Sequence, residues 1–373
     1  MRILYINDAI AIWGGLERII VEKLNELSVR YGYEMYLVTA NQGNHPIPFP
    51  LNPRVVFHDL DIQFHRQYYY HGFMRLWMMF KLKRMFRKRL REQIRVIKPD
   101  VIVCVRTNYL EEVAKWKGEI PLIYESHSSR YDYDLSKMPF YKRMVVQKWH
   151  KSVSVANKVV TLTQGDAEAW MDINRHVCVI PNVVHLNDSG RYSDCRSKSV
   201  IFVGRFSEQK DVRCLLAVWD IVHKRHPDWI LNLFGGYGEE QEKLLPEIER
   251  SNCGIVLHEP TSDIFNQYLD NSILLLTSLY EPFGLVLPEA MSCGLPVIAF
   301  DCPFGPADII TNEIDGFLIK DRNIQDFADK VCLLIDNPEM RVKMGQAGVI
   351  SSQRYAAANI MPLWKELFDT YKR

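Results

Sequence analysis

Paired cysteines are missing from this sequence. Cys104, Cys178, Cys195, Cys214, Cys253, Cys293, Cys302 and Cys332 are scattered with no Cys-x-x-Cys pair and no metal-ligand spacing. Cys104 and Cys332 sit inside apolar runs. The set therefore reads as reduced core cysteine of a cytosolic protein rather than a disulfide framework. Long apolar runs are missing too. No stretch approaches the ~20 residues of a membrane-spanning helix, which leaves a soluble protein or one resting on a membrane surface. The first apolar run is broken by Asp8, so no secretory leader is expected. Net charge is nearly absent, at +1, which at face value argues against a polyanionic partner.

What is present is a chain of 373 residues, 47% apolar and 24% charged. That length fits two domains, and that composition excludes disorder. The neutral total hides an asymmetry. Residues 1–182 hold 27 Lys and Arg against 18 Asp and Glu, a net +9, and the remainder carries −8.

Short apolar runs alternate with longer amphipathic stretches. Ile3–Ile6, Met35–Val38, Val55–Phe57, Val101–Val105, Leu122–Tyr124, Val159–Leu162 and Val177–Ile180 read as strands. They lack strict alternation, the pattern of parallel strands covered on both faces. Leu16–Tyr31, Phe73–Ile97 and Tyr141–Ala156 read as helices between them. The series then restarts with strands Val200–Val203, Ile230–Phe234, Ile255–Leu257, Ile273–Leu276, Val297–Phe300 and Phe317–Ile319, and with helices such as Val212–Arg225 and Glu239–Glu249. Two βα series predict an α/β protein of two Rossmann-like, doubly wound domains. The boundaries are 1–185, a polar linker 186–199, and 200–356. An amphipathic tail helix at 357–373 is expected to fold back on the first domain. Ligands of such sheets bind beyond the carboxyl ends of the strands, which predicts a cleft between the two domains.

Chemistry-bearing residues fall at those strand ends. Gly14-Gly15 follows the first strand and opens a helix, where backbone amides suit phosphate. It is not Gly-x-Gly-x-x-Gly, so a nicotinamide or flavin gains little support. Gly204-Arg205 ends the first strand of the second series, with Lys210 five residues on. A forked guanidinium and a mobile ammonium suit a diphosphate. Glu281 and Glu289 straddle a loop-to-helix junction, Pro282-Phe283-Gly284-Leu285. Carboxylates there can accept paired hydrogen bonds from a sugar's vicinal hydroxyls, and amides at the helix start can cradle phosphate. His127 follows strand Leu122–Tyr124, with Glu125 expected to point to the other side.

Residues 66–98 hold eleven Lys and Arg against Glu92 alone. Leu82, Met85, Phe86, Leu90, Ile94 and Ile97 fall three or four apart in one stripe, with Tyr68-Tyr69-Tyr70 and Trp77 upstream. A basic amphipathic helix over 73–97 suggests an anionic membrane surface, with no nucleic acid. The bland alternative is a stripe packed on the sheet under a solvated basic face.

Taken in order, these motifs resemble family 4 of the retaining, nucleotide-sugar-dependent glycosyltransferases, which have the GT-B fold. The resemblance rests on Gly14-Gly15-Leu16-Glu17-Arg18, Pro181-Asn182, VGRFSEQK at 203–210 and GYGEE at 236–240. Above all it rests on Glu-x7-Glu from Glu281 to Glu289, followed by AMSCGLPVIAF. It implies that Arg205 and Lys210 bind the donor diphosphate and that Gly15 lets the first domain close over it. Glu281 would bond donor-sugar hydroxyls, and the amides of Phe283, Gly284 and Leu285 would hold sugar and phosphate. Glu289 would bind the ribose, and His127 would touch the sugar near the reacting centre.

The resemblance further implies no metal and no cofactor, only the nucleotide sugar as donor, most simply a UDP-sugar. The acceptor would be a glycan or a polyprenyl-linked sugar, met by loops Asn41–Asn52 and Ser128–Met138. The enzyme would be cytoplasmic, peripheral on the inner face of the plasma membrane. The stretch 301–310 is similar to a subgroup that transfers galactose, N-acetylgalactosamine or related sugars. A sugar-nucleotide epimerase of the same fold, or a non-catalytic nucleotide-sugar-binding subunit, are the alternatives. The sequence departs from the family at Asp211, where glycine usually follows the lysine. It departs again at Val183 and His185 after Pro181-Asn182, and at Phe304-Gly305 with Asp308 in place of glutamate.

Overall fold

Strands that are apolar throughout can be stable only if both sheet faces are covered. The computed structural model describes residues 1–130, 138–236, 238–251 and 253–372. Residues 131–137 of the second acceptor loop, and Tyr237 of the GYGEE stretch, lie outside the described residues. The chain divides into two units. One comprises Met1–Leu162, Asp166–Val183 and Ile360–Arg373, the other Thr163–Gly165 and Val184–Asn359.

In the first unit, strands β1 (Arg2–Asn7), β2 (Glu34–Thr39), β3 (Val56–Asp59), β4 (Val101–Cys104), β5 (Leu122–Glu125), β6 (Lys158–Thr161) and β7 (Val177–Val179) form one sheet. Its order is β3-β2-β1-β4-β5-β6-β7 and every pair is parallel. The winding reverses between β1 and β4, the switch point at which such sheets bind ligands. Helices α1 (Gly15–Tyr31), α2 (Gly72–Ile97), α3 (Thr107–Trp116), α4 (Phe140–Ser152) and α5 (Gln164–Trp170) connect the strands.

Helix α2 divides its apolar residues between two environments. Leu82, Phe86, Leu90, Ile94 and Ile97 are buried in one cluster with Leu4, Ile6, Ile102 and Leu122 of the sheet. The stripe read as a lipid-facing candidate is therefore core. The exposed apolar surface lies in the earlier turns, at Phe73 (79% exposed), Met74, Leu76, Trp77 and Phe80. Part of the basic face is also spoken for. Arg87 forks onto Glu112 at 3.0 and 2.8 Å, Arg89 donates to the Leu60 carbonyl, and Arg91 lies 4.8 Å over the Trp116 ring.

The second unit repeats the plan with β8 (Ser199–Arg205), β9 (Ile230–Gly236), β10 (Ile255–His258), β11 (Ile273–Leu276), β12 (Val297–Phe300) and β13 (Gly316–Ile319). The order is β10-β9-β8-β11-β12-β13, again all parallel. Its helices are α6 (Val212–Arg225), α7 (Gln241–Ser251), α8 (Ile264–Leu269), α9 (Val286–Ser292), α10 (Gly305–Ile309), α11 (Ile324–Asp336) and α12 (Pro338–Ser352). The last helix, α13 (Ala357–Asp369), buries Trp364 and Phe368, and Phe368 meets Tyr33 edge-on at 6.0 Å within the first unit.

The polar stretch from His185 to Ser199 is tied to the second unit. The Asn187 amide donates to Ser292 Oγ at 3.0 Å. The buried Cys195 carbonyl accepts from Arg341 Nε and Nη2 at 3.1 and 3.0 Å. That guanidinium also bonds the Leu334 and Ile335 carbonyls, satisfying the end of α11 with a cation where the helix dipole favours one. All eight cysteines are free thiols, five of them buried. Among the described residues no helix is long and apolar enough to cross a membrane.

The two environments of α2 predict opposite outcomes. Leu90→Ala should lower unfolding stability by about 3 kcal/mol through the cavity it leaves. Phe73→Ala should change it by no more than about 0.5 kcal/mol. Urea unfolding of both variants checks this, and equal losses would mean the exposed turn is packed.

Candidate functional site

The second unit gathers most of the sequence-derived site residues at the carboxyl edge of its sheet. Strand β8 ends in Gly204 and the exposed Arg205. The chain makes a single 3-10 turn over Glu208–Lys210 before α6 begins. Beside it runs the loop that leaves β11. Thr277 Oγ1 donates to the Lys210 and Asp211 carbonyls at 3.1 and 3.2 Å. The Leu279 amide donates to the Gln209 carbonyl at 2.8 Å, and Gln209 Nε2 to the Tyr280 carbonyl at 3.0 Å. These bonds fix the backbone that carries Lys210 against the backbone that carries Glu281.

The side chains then meet directly. Lys210 Nζ pairs with Glu281 Oε1, which also accepts from Ser278 Oγ at 2.7 Å. Glu281 is buried and its backbone is clamped as well. Its amide donates to the Pro303 carbonyl at 2.7 Å, and its carbonyl accepts from Phe304 and Gly305. A β-carbon at Gly305 would collide with the Phe283 carbonyl, so this approach requires glycine.

Between the two glutamates, Gly284 has φ +93°, a conformation that L side chains avoid. Phe283 sends its ring into the core, edge-on to Tyr355 at 5.2 Å, so only its backbone is left to face a ligand. Leu285 is the N-cap residue of α9. Glu289 lies within that helix, 3% exposed, and accepts from the buried Tyr268 hydroxyl at 3.2 Å. It is thus a held carboxylate rather than a solvated one. Near Arg205, Glu239 accepts from the Glu208 amide at 3.1 Å. The backbone amides of Glu239 and Glu208 hold that carboxyl below its ordinary range, and Arg205 adds to the effect.

Asp211 occupies the left-handed region, with φ 46° and ψ 55°. Glycine adopts this region freely and aspartate tolerates it better than most residues. The Asp211 carboxylate caps the Cys214 amide at 3.3 Å and pairs with Arg322 at 2.5 Å. Arg322 in turn donates to the Ser278 and Thr277 carbonyls at 2.9 and 3.1 Å. The departure at this position is accommodated by a second clamp on the same loop. His185, the other departure, meets Phe265 edge-on at 5.4 Å.

In the first unit Gly14 is the extended N-cap of α1, and Gly15 is its exposed first residue. Both follow β1 at the sheet's carboxyl edge, the edge at which His127 follows β5. Contrary to the sequence expectation, Glu125 points toward His127. Glu125 Oε1 lies 2.8 Å from His127 Nε2 and also pairs with Lys23. Residues two apart at a strand end share a side, the signal that was missed. Lys23 carried a signal too, since it falls at the buried helical spacing of Ile19, Ile20, Leu24 and Leu27. Burial alone would raise the Glu125 carboxyl, but the Lys23 and His127 charges prevail and hold it at about 2. Burial lowers His127, opposed by Glu125.

Two parallel sheets of this order, each with its ligand-type residues at the carboxyl edge, are the two Rossmann-like units of the GT-B fold. Residues 13–188 match the model of Glycosyltransferase Family 4, and residues 193–349 match that of Glycosyl transferases group 1. Each half of the chain thus matches a glycosyltransferase model. An uncharacterized glycosyltransferase of Haemophilus influenzae is 31% identical over 57% of this chain and 62% of its own length. The amylovoran biosynthesis glycosyltransferase AmsD of Erwinia amylovora is 32% identical over 58% of this chain and 63% of its own. The matched stretch thus spans less than two thirds of these relatives. The crystal structure of an S. aureus TarM mutant with fondaparinux, alpha-GlcNAc-glycerol and UDP superposes with a TM-score of 0.80. It does so at 15% identity over 98% of this chain and 99% of that one, a likeness of fold.

The Asp211 geometry can be tested by stability alone. Asp211→Ala loses the cap and keeps the strained backbone, so it should cost about 2 kcal/mol. Asp211→Gly relieves the strain and should cost about half as much. Thermal unfolding of the pair reads the difference, and an alanine variant as stable as the glycine one would remove the strain argument.

Proposed function

We propose that this chain is a retaining, metal-independent glycosyltransferase. It would move a hexose or N-acetylhexosamine from a nucleotide diphosphate sugar, most simply a UDP-sugar, to a cell-surface or lipid-linked glycan. The observation that carries the reading is the Lys210–Glu281–Ser278 cluster on the loops that follow β8, which ends in Arg205, and β11, with the held Glu289 eight residues past Glu281. Support also comes from the relatives. One is named for the biosynthesis of amylovoran, and the TarM structure holds UDP and a GlcNAc glycoside.

In this reading Lys210 and Arg205 take the diphosphate, and Glu281 and Glu289 accept from the hydroxyls of sugar and ribose. The amides of Phe283, Gly284 and Leu285 face sugar and phosphate, and Gly15 gives the phosphates close backbone approach. His127 meets a sugar hydroxyl. As the anomeric C–O bond breaks, negative charge gathers on the leaving phosphate, where preorganised cations stabilise it most. The acceptor oxygen attacks from the same face, and its proton passes to the departing phosphate oxygen.

The basic face of α2 supports a second part of the reading, an anionic membrane surface as the place of work. Exposed Tyr69, Phe73, Leu76, Trp77 and Phe80 form the apolar contact, with Arg66, Arg75, Lys81, Lys83 and Arg84 around it. Exposed aromatic and basic side chains in the early turns of α2 and just before it suit the headgroup layer. The enzyme would then sit on the inner face of the plasma membrane.

Nucleotide sugars screened by thermal shift should identify the donor, because a ligand of the folded state raises apparent stability. With that donor, Arg205→Ala and Lys210→Ala should each lower kcat by about 10²-fold. Glu289→Ala should act mainly on donor affinity. Full turnover in both cation variants would end this assignment. For the membrane, a Phe73→Ala/Trp77→Ala double variant should pellet less with anionic vesicles at low salt, while raised salt releases the unaltered protein. Salt-independent pelleting, or none, would count against a lipid surface.

A further inference from the structure

Three ionisable side chains from two elements of the first unit lie together under the β5 strand end, and the proposed chemistry uses only one of them. Lys23 of α1 and Glu125 of β5 are each 2% exposed in their side chains, and His127 is 6% exposed. Their contacts run in a row, Lys23 Nζ to Glu125 Oε1 to His127 Nε2. The ammonium is walled by aromatic rings. Its nitrogen lies 5.2 Å from the Tyr5 centroid and 4.4 Å from that of Trp364.

Stability gives no reason for such a row. A buried ion pair is often matched or bettered by apolar side chains of the same volume, and breaking one partner away is strongly unfavourable. The arrangement does, however, set the state of the imidazole. A carboxylate oxygen only accepts, so Nε2 must carry the hydrogen it shares with Glu125. In a neutral ring that leaves Nδ1 bare. A lone carboxylate would also draw a second proton onto the ring. Here Lys23 already neutralises it, and Arg106, held to Asn7 Oδ1 at 3.1 Å, adds a further positive charge facing the histidine. Tyr5 from β1 faces the same carboxylate and stays protonated, because burial and then Glu125 push its hydroxyl well above the usual range.

We propose that Lys23 and Glu125 are positioning residues that hold His127 as the neutral Nε2–H tautomer. Nδ1 is thereby kept as a hydrogen-bond acceptor for a hydroxyl of the bound sugar. This rests on the reading that His127 meets the sugar, but the tautomer itself is measurable without any substrate.

The experiment is nitrogen NMR of the full-length protein labelled at histidine, with His127 assigned by a His127→Asn variant, alongside kcat/KM against pH. The unaltered protein should show a neutral Nε2–H ring at pH 7. In Lys23→Met the carboxylate loses its cation and recruits the imidazole instead. The His127 midpoint should then rise by about one pH unit or more. The acid limb of the rate profile should move up with it, and activity should return at alkaline pH. Lys23→Arg should behave as the unaltered protein, and Lys23→Met/Glu125→Gln, which buries no charge, should bring the midpoint back down. An Nδ1–H ring in the unaltered protein would overturn the proposal. So would a Lys23→Met variant that loses activity equally at every pH with the His127 midpoint unmoved. A correct tautomer and midpoint with no change of donor binding or turnover in His127→Asn would instead refute the sugar contact, and with it that part of the functional reading.

Discussion

The Glu281 carboxylate is the point on which the second unit's candidate site depends. It is buried just beyond the end of a parallel strand, away from bulk solvent. An unpaired charge there would be expensive, so it must be met by fixed donors. Lys210 and Ser278 supply them, and the backbone on both sides of Glu281 is clamped to Pro303, Phe304 and Gly305. Because Lys210 sits on the loop leaving β8 and Glu281 on the loop leaving β11, the pair fixes two neighbouring strand ends against each other. Gly284, Gly305 and the α9 start inherit their positions from that alignment.

The doubly wound architecture makes this possible. Strand order β10-β9-β8-β11-β12-β13 puts β8 and β11 side by side at the reversal of winding. In such sheets the reversal of winding is the point at which ligands bind. Residues seventy-one positions apart in sequence can then bond directly, as Lys210 and Glu281 do. The first unit repeats the logic, with β1 followed by Gly14-Gly15.

Much of this was legible in the residues. Apolar runs without alternation pointed to parallel strands, and helix Val212–Arg225 has the bounds read for it. Glycines and charges at strand ends marked where ligand chemistry would gather. What pattern alone misassigned was the direction of burial. The apolar stripe of α2 has the spacing of a lipid-facing helix and of a core-facing one, because periodicity defines a face but not its partner. Glu125 was expected to turn away although strand geometry favoured the same side as His127. Lys23 was passed over because a lysine at a core position is rare unless paired, and its partner lies 102 residues away. Long-range pairing of charges is a property of the fold, and single-sequence periodicity does not carry it.

The two lysine–glutamate pairs show how one motif can serve two ends through the depth of its lysine. Each places a carboxylate at or just beyond a parallel strand's carboxyl end and answers it with a lysine from a neighbouring element. In the second unit Lys210 is 16% exposed and lies on a loop. An ammonium at the edge of solvent lies within reach of an anionic ligand; under the proposed function that ligand is the donor diphosphate, and the donor's sugar hydroxyls would take the ammonium's place on Glu281. In the first unit Lys23 is 2% exposed, seated in a helix and walled by Tyr5 and Trp364. It has no route to another partner, so its charge works only through Glu125 on the histidine beyond. The pair at the edge of solvent is suited to bind, and the enclosed pair is suited to hold a protonation state.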